Sequence, residues 1–262
     1  MKSSYIQQSD NIFFKHQLSK DLPRDIYSMH THSMYELIYF LSGDATYVIE
    51  DRKYKLKKGD LILVRPLQYH FIQIDTPADY ERYDILFDPQ KHHIESVHLL
   101  PEATEVISLT GNPIADNLFK KFDIYRKRCD DNTFQHLLSH LLSELFYNIS
   151  IFPHASTVSD NAVSPLVASA LCYINDNLST ITDIEQIAEH LFISESNLFR
   201  CFKKELHQTP KRYITEKRLL LAQQRISFGE SPTVICQNLG FGDYTTFYRN
   251  YVAYFGHAPS EK

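Results

Sequence analysis

The sequence predicts an α+β protein in which an N-terminal antiparallel β domain with two helices is followed by an all-α domain. Three observations support this division. Short runs of β-branched and aromatic residues fill residues 24 to 88, and the hydrophobic period changes to that of helices from residue 113. The C-terminal third contains one helical pattern twice. At 262 residues, the chain is long enough for two domains with separate cores.

The N-terminal signals are those of short strands. YELIYFL (35–41), ATYVIE (45–50) and DLILV (60–64) are separated by polar or glycine-containing turns. Strands this short and this closely spaced are typical of an antiparallel sandwich or barrel. The sequence therefore predicts a β-barrel over about residues 24 to 88.

Two helices are predicted after the strands, the first from about Pro113 to Arg128. The second is marked by apolar residues at i, i+3, i+4 and i+7 spacing. These are Phe134, Leu137, Leu138, Leu141, Leu142, Leu145, Phe146 and Ile149. This stripe is wide enough to pack on the barrel, against a second subunit, or both, and the sequence leaves the choice open. We expect the helix pair to support a homodimer.

Residues 153–165, PHASTVSDNAVSP, are small, polar and bounded by proline, which is typical of a linker. We therefore divide the chain into a domain over 1–152, a linker over 153–165 and a second domain over 166–262. Helices are predicted near 166–178, 183–190, 194–205, 211–227, 232–238 and 243–254. Ser194 and Asp243 are expected as N-caps, and Pro232 in a first turn.

Composition limits the classes of partner and location. The net charge of −5 argues against general coating of nucleic acid, but residues 200–218 hold seven basic and two acidic side chains. The four cysteines show no CxxC pairing and are expected to be reduced and mostly buried. No segment approaches the roughly 18 apolar residues of a membrane span. We expect a cytoplasmic protein without membrane association.

One pattern of seven residues occurs twice in the C-terminal domain. Ile187, Leu191, Leu198, Arg200, Phe202, His207 and Pro210 recur as Ile235, Leu239, Phe247, Arg249, Tyr251, Gly256 and Pro259. The first two pairs are 48 residues apart and the others 49, so the second copy gains one residue within LGFGD (239–243). A helix-turn-helix has its turn at this point. A duplicated helix-turn-helix predicts two recognition helices and double-stranded DNA as partner.

The C-terminal segment resembles the DNA-binding domain of the AraC/XylS family of bacterial transcription regulators over about residues 166–260. The resemblance rests on IEQIAEHLFISESNLFRCFKKELHQTPKRYI (184–214) and ICQNLGFGDYTTFYRNYVAYFGHAP (235–259). It implies a transcription regulator with two helix-turn-helix motifs that binds double-stranded DNA, and it makes RNA polymerase a candidate partner.

The resemblance also nominates DNA-contacting residues. For base edges it nominates Ser196, Asn197, Phe199 and Arg200 in the first recognition helix, and Tyr244, Thr245, Tyr248 and Arg249 in the second. The expected phosphate partners are Lys203, Lys204, Lys211, Arg212 and Lys217.

The second motif departs from the family, because Val252 and Ala253 stand where lysines are common. We therefore expect its grip on DNA to be weaker. His207 replaces a usual glycine, and histidine tolerates the left-handed conformation that this turn needs.

His30, His32, Glu36 and Gly43 follow the spacing H-x-H-x3-E-x6-G, and GDLILVRPLQYH (59–70) adds His70. The two segments resemble the motifs of the cupin barrel, which this family often carries as its sensor domain. In a strand over 30–40, the even positions point together into the barrel. We expect an effector pocket lined by His30, His32, Glu36, Ile38 and His70.

Three histidines and one carboxylate are also a candidate set for a divalent metal: His30, His32, Glu36 and His70. Without metal, the same groups can hydrogen-bond a polar effector or one another. No other cofactor is expected.

The leading hypothesis is a regulator whose cupin-like domain senses a small molecule, for which the 17 tyrosines and 17 phenylalanines are compatible with a sugar, and thereby controls promoter binding. An alternative is a metal-dependent isomerase or dioxygenase fused to a DNA-binding domain, but no second catalytic constellation is evident. A third is a constitutive repressor whose cupin only dimerises. We expect no enzyme activity.

Overall fold

A computed structural model describes residues 12–26, 29–152, 155–156, 160–161 and 163–260. Its strands are β1 (Phe13–Leu22), β2 (Asp25–Ile26), β3 (Tyr35–Ser42), β4 (Ala45–Ile49), β5 (Arg52–Lys55), β6 (Asp60–Val64), β7 (His70–Ile74), β8 (Ala78–Phe87), β9 (Val106–Ser108), β10 (Ala155–Ser156) and β11 (Asp160–Asn161). Its α-helices are α1 (Pro113–Arg128), α2 (Asp131–Ile151), α3 (Pro165–Asp176), α4 (Glu185–His190), α5 (Glu195–Glu205), α6 (Pro210–Ser227), α7 (Pro232–Asn238) and α8 (Tyr244–Phe255).

The strands form two antiparallel sheets that pack face to face. The first has the order β1-β8-β3-β6-β9-β10 and the second the order β11-β5-β4-β7-β2. In the first sheet, Ile38 lies opposite Ile62 on one side and Asp84 on the other. One buried cluster joins inward side chains of both sheets, such as Phe40 with Tyr47. Alternation of side chains along each strand therefore gives the sheets a common interior.

Helices α1 and α2 cover the opposite face of the first sheet. The odd-numbered side chains of β3, such as Leu37, share a buried cluster with Phe119 of α1 and Leu142 of α2. Tyr39 adds a polar contact, because its hydroxyl donates to Asp116 Oδ1 at 2.7 Å. The apolar stripe of α2 thus packs on the β domain, which is one of the two contacts that the sequence left open for it.

The strand predictions at 35–41, 45–50 and 60–64 are confirmed by β3, β4 and β6. Strand β1 was not predicted. It pairs with β8 at the edge of the sheet, and most of its side chains are exposed, so it lacks the apolar signal of an inner strand. The prediction of a strand over 30–40 is wrong at its start. Residues 31–34 are irregular, and His30 forms only an isolated bridge with His70.

All six predicted C-terminal helices are observed with small shifts at their ends. Ser194 accepts from Asn197 N and Asp243 from Thr246 N, as expected of N-caps. Two cores divide the helices. One includes side chains of α3, α4 and α5, and the other includes side chains of α7 and α8. Helix α6 belongs to both cores, with Tyr213 in the first and Leu220 in the second.

The predicted linker contributes two short strands. β10 pairs with β9 at the edge of the first sheet, and β11 pairs with β5 at the edge of the second. Residues 153, 154, 157–159 and 162 of this segment lie outside the described part of the chain. Within that part, no helix has the length and apolar character needed to span a bilayer.

Candidate functional site

The two halves of the helical domain repeat one arrangement of helices. Four residues (191–194) connect α4 to α5, and five (239–243) connect α7 to α8, so the residue gained in the second copy lies in this connection. Phe192 and Gly240 occupy equivalent left-handed positions after the first helix, with φ of +56° and +70°. His207 and Gly256 are left-handed at +55° and +81°, which confirms the expectation for His207.

Helix α5 presents most of its nominated side chains away from the core. Leu198 and Phe202 are fully buried. The exposed members of the nominated set are Ser196, Arg200, Lys203 and Lys204. Asn197 and Phe199 are half-buried. Asn197 Oδ1 accepts from Arg200 Nη2 at 2.8 Å, which orients the guanidinium along the helix surface.

Helix α8 has the same division. Phe247, Tyr251 and Phe255 are buried, whereas the nominated side chains are all exposed. These are Tyr244, Thr245, Tyr248 and Arg249. At the positions equivalent to Lys203 and Lys204 of α5, helix α8 has Val252, which is half-buried, and Ala253, which is exposed. The second exposed face therefore carries fewer cations than the first.

Among the basic residues expected at phosphates, Lys211 and Arg212 are exposed, and Arg212 Nε pairs with Glu216 Oε1 at 2.7 Å. Lys217 departs from the prediction. It is buried, and its ammonium donates to Glu50 Oε1 at 2.8 Å and Asn175 Oδ1 at 2.7 Å. A lysine that is buried and paired in this way offers no free charge to a phosphate.

The N-terminal domain brings together the four side chains that the spacing nominated. One ligand atom from each of His30, His32, Glu36 and His70 lies within 4.8 Å of the others. Glu36 Oε2 is 3.3 Å from His32 Nε2 and 2.9 Å from His70 Nε2. His30 is exposed and the other three are buried. Ile38, the fifth pocket residue nominated, is buried in the core between the sheets.

Backbone carbonyls fix the orientation of two imidazole rings. His32 Nδ1 donates to Met34 O and His70 Nδ1 donates to Gln68 O, each at 2.9 Å. In a neutral ring whose Nδ1 carries the proton, Nε2 has a lone pair. Both lone pairs would then face the Glu36 carboxylate. The cluster therefore needs protonated rings or a cation to be electrostatically favourable, and it fits the ligand and outer partner arrangement of a metal site.

The pKa values reflect this arrangement. Burial by itself raises the pKa of Glu36, but the His70 charge and hydrogen bonds from both rings hold it well below its ordinary value. Burial by itself lowers the pKa of His70, and Glu36 more than offsets it, so the net pKa is raised. The electrostatic preference is thus for an anion on Glu36 and a cation beside it.

Sequence reasoning missed a second polar group in the same interior, on β8. Asp84 is buried opposite Ile38, and its Oδ2 accepts from Arg82 Nη2 at 3.3 Å. Burial first, and then the Glu36 charge, raise the pKa of Asp84 to about 7. Asp84 Oδ1 and the hydroxyl of Tyr80 are buried without a protein partner. The signal was the alternation of Tyr80, Arg82 and Asp84, which places their side chains on the same face of the sheet as Ile38 of the neighbouring β3.

These two sites, a polar interior in a β domain and paired exposed helices, agree with comparisons to known proteins. Residues 18–173 match the AraC-like ligand binding domain, and residues 187–262 match a helix-turn-helix domain. The chain belongs to the AraC family. Members with this domain pair are DNA-binding transcription regulators with a ligand-sensing domain, and this chain is one of them.

Several relatives extend over most of the chain. The HTH-type transcriptional regulator YfiF of Bacillus subtilis (strain 168) is 24% identical over 97% of this chain and 84% of its own length. The raffinose operon transcriptional regulatory protein RafR of Pediococcus pentosaceus is 26% identical over 86% and 83%. The HTH-type transcriptional activator RhaR of Cronobacter sakazakii is 23% identical over 77% and 74%.

Among solved structures, ToxT from Vibrio cholerae O395 is similar over 94% of this chain and 95% of its own. Its sequence identity is 14% and its TM-score 0.38.

Proposed function

We propose that the protein is a sequence-specific regulator in which domain 1–152 senses a small polar molecule and domain 166–262 binds promoter DNA, joined through residues 153–165. The observation that carries this function is the pair of equivalent exposed faces on α5 and α8, each with an arginine at the same repeat position, Arg200 and Arg249. A role in the cytoplasm follows from DNA as the partner.

In this proposal, α4–α5 and α7–α8 are two helix-turn-helix motifs, with α5 and α8 as the recognition helices. The residues proposed to contact bases are Ser196, Asn197, Phe199, Arg200, Tyr244, Thr245, Tyr248 and Arg249. Those proposed to contact phosphates are Lys203, Lys204, Lys211 and Arg212. Arginine can bind guanine through two hydrogen bonds, whereas aromatic rings can contact thymine methyl groups.

The two facing sheets are proposed to form a cupin-like barrel whose interior binds the effector. His30, His32, Glu36, Ile38 and His70 remain the proposed pocket residues, and Asp84 with Arg82 joins them. A sugar is the favoured ligand class for two reasons. Carboxylate and guanidinium groups on one interior can bind vicinal hydroxyls through pairs of hydrogen bonds, and two relatives are named as regulators of a raffinose operon and of a lactose operon.

A divalent metal is a second candidate occupant of the interior. His30, His32, Glu36 and His70 would hold it, and imidazole with carboxylate suits Zn, Fe, Mn or Ni. The supporting observation is that two Nε2 lone pairs converge on one carboxylate while both Nδ1 groups donate to carbonyls. Metal analysis of the purified protein tests this, and His32→Ala should abolish binding. Retention of metal by that variant would contradict the assignment.

We further propose that the protein acts as a homodimer and as an activator that contacts RNA polymerase, since relatives are named as activators. The relatives are named as transcription regulators, and we propose no catalytic activity. Helix α2 supports a dimer because Tyr147, Ile151 and the adjacent Phe152 remain exposed after its other face is buried on the sheet.

Selection of binding sites from random duplex DNA tests the DNA-binding proposal. On the selected site, Arg200→Ala should lower affinity by about 1 to 3 kcal/mol and relax preference at one or two base pairs. Lys204→Ala, the control on the same helix, should weaken all duplexes alike and reduce the salt dependence. Equal losses on selected and random DNA for Arg200→Ala would contradict its base-reading role.

A further inference from the structure

A buried arginine connects the two halves of the helical domain. Arg218 lies in the middle of α6, and its guanidinium donates to three backbone carbonyls. Nε contacts Leu178 O at 2.8 Å and Nη2 contacts Ile181 O, both before α4, whereas Nη1 contacts Gly240 O at 2.7 Å, between α7 and α8. The guanidinium thus bridges the first half to the turn of the second.

The backbone near Gly240 packs closely against the Arg218 guanidinium. Gly240 is left-handed, and a Cβ there would lie 2.8 Å from Ser179 O and 2.9 Å from Arg218 Nη2. Burial lowers the pKa of Arg218. A buried cation held by carbonyls costs desolvation that an apolar side chain would avoid. A role in geometry, fixed by three directed hydrogen bonds, accounts for it better than stability does.

We propose that Arg218 is a positioning residue that fixes the separation and angle of α5 and α8, and so the spacing of the two DNA segments read by one chain. This inference rests on the proposed function. A lysine can make only part of the three-carbonyl contact, because its ammonium is a single point of donation rather than a planar fork. Arg218→Lys should therefore loosen the relation between the halves without removing either recognition face.

The test uses a duplex selected by the wild-type protein and versions with 1 base pair inserted or deleted between its two contacted segments. The spacing penalty is the ratio of the Kd for an altered duplex to the Kd for the selected duplex. This penalty should be at least about threefold smaller for Arg218→Lys than for the wild type. The affinity of Arg218→Lys for each isolated segment should stay within about twofold of the wild-type affinity. Arg225→Lys, on the same helix, is the matched control and should behave as wild type.

Two results would overturn the positioning role of Arg218. One is an unchanged spacing penalty in Arg218→Lys, and the other is an equal loss of affinity for isolated segments. Arg218→Lys and Gly240→Ala are both measured at a temperature where circular dichroism shows them folded; Gly240→Ala disturbs the same contact and should relax spacing in the same way. Failure of wild type to select any duplex would contradict the proposed function itself.

A different set of contacts joins the β domain to helix α6. Glu50, in the turn between β4 and β5, accepts from Tyr213 Oη at 2.7 Å and from Lys217 Nζ at 2.8 Å. Tyr69 donates from its hydroxyl to Glu216 at 2.8 Å, and its ring stacks on Tyr213 at 4.4 Å. We call Glu50, Tyr69, Tyr213 and Lys217 the interdomain latch.

The interdomain latch is buried but lies beside open space. The side chains of Lys217 and Glu50 are 7% and 12% exposed, so a broken pair would leave a buried charge uncompensated. Clefts of about 440 and 660 Å³ are each lined by Glu50 and by residues of both domains. The interdomain latch is therefore held by directed hydrogen bonds, and open clefts lie beside it in place of a continuous layer of apolar side chains.

The interdomain latch is also one residue away from the proposed effector pocket. Tyr69 precedes His70, and the Tyr69 ring packs in the helical core while His70 faces Glu36 in the β interior. The Tyr69 backbone is held by Glu50 on both sides, with Glu50 N donating to Tyr69 O at 2.8 Å and Tyr69 N donating to Glu50 Oε1 at 3.0 Å. A shift of His70 must therefore move a residue of the latch.

We infer that the interdomain latch relays the state of the pocket around His70 to helix α6, which joins the two proposed recognition units. This inference rests on the proposed function for its biological meaning. Its physical content is a coupling between the pocket and α6 that depends on Glu50 and Lys217. Such coupling can be measured in the full chain without DNA or effector.

Hydrogen exchange followed by mass spectrometry tests the relay. His70→Gln in the pocket should raise exchange in residues 210–221 by at least about fivefold, with α2 as the internal control. In a Glu50→Gln/Lys217→Met background, adding His70→Gln should change exchange there by less than about twofold. Arg126→Met, which breaks the exposed pair of Arg126 with Asp131, is the matched background and should preserve the response.

An unchanged α6 after His70→Gln would overturn the relay, and so would a full response in the Glu50→Gln/Lys217→Met background. If that double variant does not fold, Tyr69→Phe removes only the hydroxyl that binds Glu216 and should weaken the response. DNA binding by wild type is measured separately, so a failed relay and a failed DNA-binding proposal give different results.

Discussion

Single residues in this protein occupy backbone positions that their side chains do not favour. Phe192 is left-handed and 96% exposed, whereas Gly240 occupies the equivalent position of the second half. For residues with a Cβ, the left-handed conformation costs roughly 1 to 2 kcal/mol. The two halves thus reach the same turn by different means, one with a strained aromatic residue and one with glycine.

Exchange of these residues has opposite expected effects on stability. Phe192→Gly should raise the free energy of unfolding by roughly 1 kcal/mol, because it relieves the left-handed strain. Gly240→Ala should lower it by more, since the new Cβ would meet Ser179 O at 2.8 Å as well as adopting the strained conformation. Urea denaturation measures both. A destabilised Phe192→Gly would show that the ring makes a stabilising contact.

Asp84 gives the β domain a defined dependence on pH. Its pKa is raised from 3.8 to about 7 in the folded protein, so the folded state binds its proton more tightly than the unfolded state. The contribution of Asp84 to stability therefore decreases as pH rises between these two values. The raised pKa of His70 acts in the same direction at higher pH.

Asp84→Asn should remove part of this dependence. Between pH 5 and pH 8, the wild type should lose at least about 1.4 kcal/mol more stability than Asp84→Asn, the equivalent of one pKa unit. Urea denaturation at the two pH values measures the difference. Asp131→Asn, at an exposed carboxylate of α2, is the control and should follow the wild type. Parallel pH profiles for wild type and Asp84→Asn would contradict the role of Asp84.

At the scale of elements, α2 and α6 each serve two neighbours. Helix α2 buries Phe134, Leu138 and Leu142 against the sheet and leaves Tyr147 and Ile151 exposed. Helix α6 contributes side chains to both helical cores. Helix α6 is therefore held from both cores, whereas α2 is fixed by a core on one side and has its other side available for a second contact.

The exposed side of α2 predicts the effect of charge on dimerisation. Tyr147→Lys combined with Ile151→Lys should weaken self-association at least about tenfold, since two ammonium groups would meet their copies across a symmetric interface. Sedimentation equilibrium measures this change, with Asn132→Lys at the exposed start of α2 as the control. If the wild type remains monomeric at all concentrations, the dimer proposal is wrong.

The halves of the helical domain are unequal in charge. Lys203 and Lys204 lie in the last turn of α5 and are exposed, whereas Val252 and Ala253 occupy the corresponding positions of α8. Phosphate contacts contribute affinity without sequence preference. We therefore expect the first half to provide most of the grip on DNA.

At the scale of the whole molecule, two recognition helices in one chain are expected to contact successive major-groove segments on one face of DNA. These segments are about 34 Å apart, one helical turn. A 5-base-pair insertion between the two segments of a selected site turns one of them to the opposite face. Binding should fall toward that of random duplex, at least about tenfold, as measured by fluorescence anisotropy.

A 10-base-pair insertion is the control for the spacing prediction, because it restores the face while it lengthens the distance. Loss with both insertions is expected if the separation of α5 and α8 is fixed, as proposed for Arg218, whereas binding retained with 10 base pairs would show that the two halves can span a second turn. No loss with 5 base pairs would show that a single half supplies the affinity, and the two-helix reading would then be wrong.

The family, the order of the β and α domains, and the helices α1 to α8 could all be predicted from the amino-acid sequence. These features depend on local periodicity, on caps such as Ser194 and Asp243, and on a repeat whose members are close in the chain. The motif spacing also predicted that His30, His32, Glu36 and His70 lie together, although His30 and His32 precede β3 in an irregular segment rather than in an alternating strand.

Which charged side chains are exposed and which are buried could not be predicted from the sequence, because it depends on the packing of distant segments. Lys217 and Arg218 lie in a basic segment and are buried, one against Glu50 and the other against the carbonyls of Leu178, Ile181 and Gly240. The burial of Asp84 opposite Ile38 was missed for the same kind of reason. Whether a charge faces water depends on partners that are distant in the chain, and local pattern carries no information about them.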